Sequence, residues 1–347
     1  MNNVTLLAID LAKNVFQLHG INIKKEVVLK QKISRNKLLE FIANMNQCDI
    51  YMEACGSANF WGRKFKKFGH NVKMIHPKYV KPFVKRNKND VNDAAAIASA
   101  ALAPGMRFID TKTTGQQDIQ SIHRIRERFI RERTGLSNQI RGLLMEYGIV
   151  IPQGISNARK KLPEIIETEN CELSELIRNC LCDLYDELKS LDKKIEVYNE
   201  KIEALFASND SCKRLITIPG VGKLGATILA SALGNGSAFK NGRHFAAFLG
   251  LVPKQHSSGG KECLLGISKG GDTYIRKTLV HGARAVLQQV NNKTDSRSLW
   301  LKNLKIRKGH NKTTVALANK IARTAWALVH EDCNYEPNYK SKLFLAA

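Results

Sequence analysis

The sequence predicts an α/β domain at the N-terminus and a mostly helical remainder. Three strand-like runs come first as a group, and helix and strand then alternate as far as residue 102. That order stacks helices on a sheet. From residue 116 onward apolar residues recur at helical spacing. A chain of 347 residues is long enough for about two or three domains, each with its own core.

Taken in order, residues 4–10 (VTLLAID) are a continuous apolar run ending in a carboxylate, as a buried strand would be. Residues 15–21 (VFQLHGI) and 26–33 (EVVLKQKI) complete a meander of three. Residues 35–46 read as an amphipathic helix, and 49–53 (DIYME) as a fourth strand that also ends in a carboxylate. A helix over 57–68 and a fifth strand over 71–75 (NVKMI) follow. Residues 90–102 form an alanine-rich helix closed by Pro104 and Gly105.

Residues 116–147 are helical. Residues 173–206 place apolar side chains at 173, 177, 180, 184, 188, 191, 195, 198, 202 and 205, a coiled-coil seam with one 4-4 irregularity. Pro152 and Pro163 bracket a loop between these segments, so a long antiparallel helical pair is expected, within one chain or between chains. From residue 212 to about 331 the pattern is helical, basic and glycine-rich, and a tail follows. The expected divisions are 1–115, 116–210, 211–332 and 333–347.

The chain carries 55 Lys and Arg against 31 Asp and Glu, a formal net charge of +24. Hydrophobic content of 43% and charged content of 25% exclude wholesale disorder. No run reaches the roughly 18 apolar residues of a membrane span. The N-terminal segment lacks a basic lead and puts an Asp inside its apolar run, unlike a signal peptide. The eight cysteines show no CxxC spacing, so reduced thiols in the cytoplasm are expected. A basic protein of this kind takes a polyanion as its partner, with nucleic acid foremost.

The charge is uneven. Residues 164–203 hold 12 acidic and 5 basic side chains, a net of −7, which leaves +31 for the rest. Lys73 to Lys88 contains six Lys or Arg and no acid, and Ser296 to His330 contains eight and no acid. One such run can be a solvated face. Several runs flanking one acidic insert point to an anionic ligand.

Asp10 and Glu53 end separate strands, and Asp90 and Asp93 stand three apart on one face of a helix start. Singly, each suits a cap or a surface. In a meander followed by strand–helix repeats, however, the ends of the first and fourth strands are neighbours. A helix packed on that sheet brings the other two acids to the same place. Ionised carboxylates gathered in a small volume need cations, and an all-oxygen set suits Mg²⁺ or Mn²⁺. Paired ions of this kind serve phosphodiester chemistry.

Residues 215–233 (LITIPGVGKLGATILASAL) read as helix, Gly-x-Gly turn and helix, a helix–hairpin–helix pattern. Gly220, Gly222 and Lys223 are its candidate phosphate contacts, with a plain helix-packing joint as the alternative. Residues 248–272 (FLGLVPKQHSSGGKECLLGISKGGD) form a polar, glycine-rich stretch expected to be an Ω-type loop. Ser257 and Ser258 precede Gly-Gly-Lys there. Lys254, Lys261, Lys269, Arg276 and Lys277 are the cations that can stabilise a phosphoryl transition state beside a hydroxyl.

These motifs carry a resemblance. AID with Asp10, YMEACG with Glu53, and RNKNDVNDAAAIA with Asp90 and Asp93 look like the DEDD set of a RuvC-like domain. GLVPKQHSSGGK and GISKGGDTYIRKTLVHGARAV look like the C-terminal domain that accompanies it. Together they resemble the bacterial DEDD/serine insertion-sequence transposases, the group that includes Piv-type invertases and bridge-RNA-guided recombinases. The resemblance runs through nearly the whole chain in family order.

It implies a RuvC-like RNase H fold, a coiled-coil insert and a C-terminal transposase domain. It implies Mg²⁺ at Asp10, Glu53, Asp90 and Asp93. It also implies a nucleophilic serine, Ser258 by position with Ser257 as the weaker candidate, that forms a phosphoserine link to DNA. The implied partners are DNA at the element ends and target, a structured non-coding guide RNA, and further copies of the chain as dimer to tetramer. Composite sites between protomers are implied as well, and so is a bacterial, nucleoid-associated location.

Two positions depart from the pattern. Cys263 stands where similar sequences read Arg in Gly-Lys-x-Arg, and Gly270 where they read Arg in Ser-Lys-Arg-Gly. Each removes a cation near the serine. Two alternative readings therefore stand beside the recombinase. One is a junction-specific endonuclease using the carboxylates alone, and the other is a non-catalytic nucleic-acid-binding copy.

Overall fold

The computed structural model describes residues 3–84, 90–168 and 173–337, without the side chains of Asp90 and Val91. The end of the first basic run and most of the expected tail lie outside the described residues. Two compact units result, Met1–Thr114 and Gly115–Ala347.

The first unit is built on a sheet of mixed direction. β1 (Leu6–Asp10), β2 (Val15–Ile21) and β3 (Val27–Ser34) form the antiparallel meander. Helix α1 (Arg35–Ala43) leads to β4 (Asp49–Glu53), and α2 (Ala58–Lys67) to β5 (Asn71–Ile75). A short α3 (Pro77–Val80), then α4 (Asp90–Leu102) and a two-residue β6 (Phe108–Ile109) complete the unit. The strand order is β3-β2-β1-β4-β5-β6, with β4 parallel to β1 and to β5.

Both faces of the sheet are covered, which explains why β1 reads as an unbroken apolar run. Leu7 and Ile9 face one core together with Trp61 and Phe65 of α2 and Leu38 and Ile42 of α1. The spacing Ala58, Trp61, Gly62, Phe65 is the buried stripe of α2. Leu6 and Ala8 face the other core with Ala96, Ile97 and Ala100 of α4. The alanines of α4 keep that helix close to the sheet.

The second unit starts with two helices of 33 residues each, α5 (Thr114–Glu146) and α7 (Glu175–Ala207), joined through α6 (Ile155–Glu167). Each is about 50 Å long at 1.5 Å per residue. They run antiparallel within one chain: Arg126 donates to Asn199 at 2.6 Å, Arg133 pairs with Asp192 at 3.0 Å, and Phe129 meets Tyr198 edge-on. Two details differ from the sequence reading. Pro163 lies inside α6, where burial of Ala158 and Leu162 offsets the one lost donor. In α7, Leu181 is buried and Cys180 exposed. The seam therefore steps 177, 181, 184, 188, 191, 195, 198, 202 in strict alternation of four and three, with no irregularity.

The chain then folds into a helical hub: α8 (Asp210–Leu215), α9 (Lys223–Leu233), α10 (Gly242–Phe248), α11 (Thr273–Gln288), α12 (Ser296–Lys308) and α13 (His310–His330). Helix α13 packs on α8, α9, α10, α11 and α12. Between α10 and α11 stands a two-stranded hairpin, β7 (Pro253–Gln255) and β8 (Leu264–Ile267). The Ω-type loop expected there is thus a β-hairpin. No helix among the described residues is long and apolar enough to cross a membrane.

Candidate functional site

Asp10 and Glu53 end neighbouring parallel strands. The register pairs Ile9 with Met52, so Asp10 and Glu53 come next to each other in line. Alternation along the strands then fixes their side. Ile9 and Met52 belong to the α1/α2 core, while Ala8 and Tyr51 belong to the α4 side. Asp10 and Glu53 therefore share the α4 side. Asp93 sits one turn before Ile97, on the stripe of α4 that packs on the sheet. All three are half-buried. The Asp90 side chain lies outside the described residues. Among the described residues, no three Asp, Glu, His or Cys side chains are close enough to hold a metal ion. The donor set is nonetheless all oxygen and half-buried, which matches a hard divalent cation.

The serine motif is a two-residue hairpin turn. Lys261 N donates to Ser258 O at 3.0 Å, and Gly259 and Gly260 between them have φ of +55° and +77°. Positive φ at both central positions is the type I′ turn, which glycine enters without strain. His256 N donates to Cys263 O at 2.9 Å one step further in. This pairing sorts the side chains. Ser258, His256, Lys261 and Cys263 share one face of the hairpin.

Ser257 points to the other face, where its Oγ accepts from Gln255 Nε2 at 2.9 Å and from Cys263 N at 3.3 Å. The Ser258 hydroxyl has no hydrogen-bond partner among the described residues, and the turn is exposed. The two serines are thus chemically distinct: one is tied into the strand pair and the other is free. Sequence reasoning passed over His256, whose place beside Ser258 appears only once the hairpin register is known.

The candidate cations divide in the same way. Lys254, Lys261 and Lys269 are exposed and form no ion pair among the described residues. Lys223 is paired with Glu203 at 2.8 Å, and Lys277 with Glu127 at 2.5 Å. Arg276 donates to the carbonyls of Leu249 and Gly271 at 3.2 and 3.4 Å, so it clamps the base of the hairpin to α11. Asp272 caps α11 by accepting from Tyr274 N and Ile275 N.

The glycine turn before α9 also has a packing role. Gly220 has φ of +94°, and a Cβ on Gly282 of α11 would fall 1.9 Å from its carbonyl oxygen. Gly222 is the N-cap of α9, and its Cβ position opens onto free space.

One buried polar group ties α5 to two helices of the hub. His123 of α5 is fully buried, with Nδ1 2.9 Å from Tyr274 Oη and Nε2 3.0 Å from Thr227 Oγ1. Thr227 gives its own proton to Lys223 O at 2.9 Å. Nε2–H therefore donates to Thr227, and Nδ1 accepts from Tyr274, which fixes a neutral imidazole. Burial, and then the charge of Arg126, lowers its pKa to about 4.

A family model described as "Transposase IS116/IS110/IS902 family" matches residues 212–298, which hold the glycine turn and the serine hairpin. A second, described as "Transposase" of the DEDD IS110 type, matches residues 7–149 and includes the carboxylates. A transposase for insertion sequence element IS1111A from Coxiella burnetii is 45% identical over 96% of this chain and 92% of its own length. A probable family 20 transposase of Pseudomonas aeruginosa is 42% identical over 96% of this chain and 99% of its own. The pilin gene-inverting protein of Moraxella bovis is 25% identical over 55% of this chain and 51% of its own. With both family models matched in chain order and such identity along nearly its whole length, the chain belongs to the IS116/IS110/IS902 family of transposases, enzymes that bind DNA, cut it and transfer its strands.

Proposed function

We propose that this transposase excises and inserts its own element through Ser258, with Asp10, Glu53, Asp90 and Asp93 as the ligands of Mg²⁺ or Mn²⁺ in an RNase H-like, RuvC-type domain. The carrying observation is the free Ser258 hydroxyl at the tip of an exposed type I′ turn, beside a Ser257 that is already bonded. In the proposed step, Ser258 Oγ forms a bond to the scissile phosphorus as the bond from phosphorus to the leaving deoxyribose oxygen breaks. The serine proton passes to a base, and the leaving oxygen takes up a proton. His256 and Lys261 share the serine's face and are placed to accept that proton and to balance the phosphate charge. Divalent cations at the four carboxylates would supply neutralisation of the DNA backbone and polarisation of its phosphates.

The further parts of the reading are a structured guide RNA, assembly as homodimer to homotetramer, and backbone contacts from the helix–hairpin–helix at Gly220, Gly222 and Lys223. The four divisions of the chain given above, with a coiled-coil insert, belong to the same reading.

Ser258→Ala tests it. The variant should lose covalent protein–DNA adducts while it still binds DNA, and Ser257→Ala should keep them. Adducts that persist in Ser258→Ala remove that residue from the mechanism. Asp10→Asn in the same assay should abolish Mg²⁺-supported strand transfer. Free 5′-phosphate ends without any adduct would instead identify a junction nuclease.

A further inference from the structure

The hub carries a groove of about 2040 Å³ that the serine chemistry does not explain. One wall is β8, the outgoing strand of the Ser258 hairpin. The others are the start of α10, the first turns of α12 and one face of α13. Its cations include Arg243, Arg297, Lys320 and Arg323. They come from three helices, and packing forces them together. A Cβ on Gly242 would lie 2.8 Å from the Arg323 carbonyl oxygen, so α10 rests directly on α13.

No carboxylate among the described residues pairs with this charge. None of the four cations has an ion-pair partner among the described residues, and Glu331 and Glu336, which also line the groove, pair with none of them. Arg297 Nε is buried with no hydrogen-bond partner. The Lys320 ammonium lies 4.7 Å over the Trp300 ring, and burial together with Arg297 and Arg323 holds it below its ordinary pKa. Cations crowded together in this way are stabilised by an anion with several charges in a row. The cations that α13 gives the groove run from Lys312 to Arg323, roughly 16 Å at about 1.5 Å per residue. That is about the span of five phosphates at 3.4 Å per nucleotide along one strand.

We propose that this groove holds the sugar–phosphate backbone of the DNA strand that runs into the Ser258 hairpin, with Arg243, Arg297, Lys320 and Arg323 on its phosphates and Trp300 beside its sugars or bases. The proposal rests on the serine reading for the direction of the strand, but not for the binding itself. DNA is the occupant because one wall of the groove is the hairpin. A polyanion lying along β8 enters the turn whose hydroxyl attacks it.

The test is a binding experiment on the full chain, with no chemistry involved. A short fluorescein-labelled DNA duplex and the RNA duplex of the same sequence are titrated at several salt concentrations, with anisotropy as the readout. The Arg243→Gln, Arg323→Gln double variant removes two exposed charges from the groove. Lys160→Gln with Lys161→Gln on α6 removes two exposed charges elsewhere. The slope of log K against log salt for DNA should become shallower by about two in the groove variant, at about 0.9 per phosphate contact. The α6 variant should keep the parent slope.

Thermal unfolding at the parent temperature shows that the groove variant is folded. Equal slopes in the two variants overturn the proposal. So does a groove variant that loses RNA binding while DNA binding is unchanged, since the groove then serves RNA. Ser258→Ala should bind DNA as the parent does. Loss of adducts there with no change of slope in the groove variant would uphold the serine and remove the groove, and the converse would do the reverse.

Discussion

The sharpest chemistry in the chain rests on single atoms. His123 is held neutral by what its two nitrogens meet, an accepting threonine oxygen and a donating tyrosine hydroxyl. Its pKa falls from 6.5 to about 4 in the folded chain. A base whose folded pKa is depressed binds its proton better when unfolded. Its contribution to stability is therefore complete above pH 6.5 and is lost as the pH falls toward about 4. The full loss is on the order of 3 kcal/mol, from about 1.4 kcal/mol per unit. Urea unfolding of the parent and of His123→Gln, followed from neutral pH down through this window, should show the parent losing that much more. Parallel curves would mean that the imidazole is solvated. The same scale explains the two serines. They are adjacent and identical in type, and only the cross-strand register separates the bonded Ser257 from the free Ser258. The cation missing at Cys263 also matters at this scale, because position 263 shares the face of Ser258.

At the scale of elements, the adjacent glycines at the base of the hairpin make a clean contrast. Gly271 has φ of +135°, and a Cβ there would fall 2.1 Å from Phe248 O, while a Cβ on Gly270 would meet only Ser268 Oγ, at 3.9 Å. Gly271→Ala should therefore cost about 1–3 kcal/mol or more through backbone displacement, and Gly270→Ala close to nothing. Thermal unfolding of the two variants gives the comparison, and equal melting temperatures would refute it.

Much of the element order was legible in the sequence. Strands β1, β2, β4 and β5 and helix α4 carry strong periodicity or unbroken apolar runs, and their ends agree with the structure to within two residues. The adjacency of Asp10 and Glu53 followed from the meander together with the strand–helix repeats after it. The hairpin was not legible. Its strands are three and four residues long and exposed along most of their length, so no burial pattern marks them. The two-residue β6 is hidden for the same reason. Leu181 was missed in favour of Cys180 because both are apolar by composition, and only packing against α5 chooses between them. The groove cations at 243 and 297 are brought together by tertiary packing, which local sequence cannot report.

For the whole molecule, the deciding quantity is the distribution of charge. The segment 164–203 carries a net of −7 and the rest +31. Much of the acid in that segment is held in helix α7, where Asp192 takes both Arg133 and Arg159 and Glu203 takes Lys223. Those pairs consume cations that a simple count assigns to DNA. Lys277 and Arg276 are consumed as well, by Glu127 and by backbone carbonyls. At the hairpin and the groove, by contrast, Lys254, Lys261, Lys269, Arg243, Arg297, Lys320 and Arg323 have no ion-pair partner among the described residues. This makes a bounded prediction. Six to ten phosphate contacts would weaken DNA binding by roughly 10³ to 10⁵ between 50 and 200 mM salt. The parent chain should fall in that range, and neutralising Lys277 should leave its slope unchanged, because Glu127 already holds it. Fluorescence anisotropy against salt measures both. A slope steep enough to require every cation in the chain would show that the ion pairs of α5 and α7 open on DNA. Nearly salt-independent binding would show that the net charge plays no part in holding DNA.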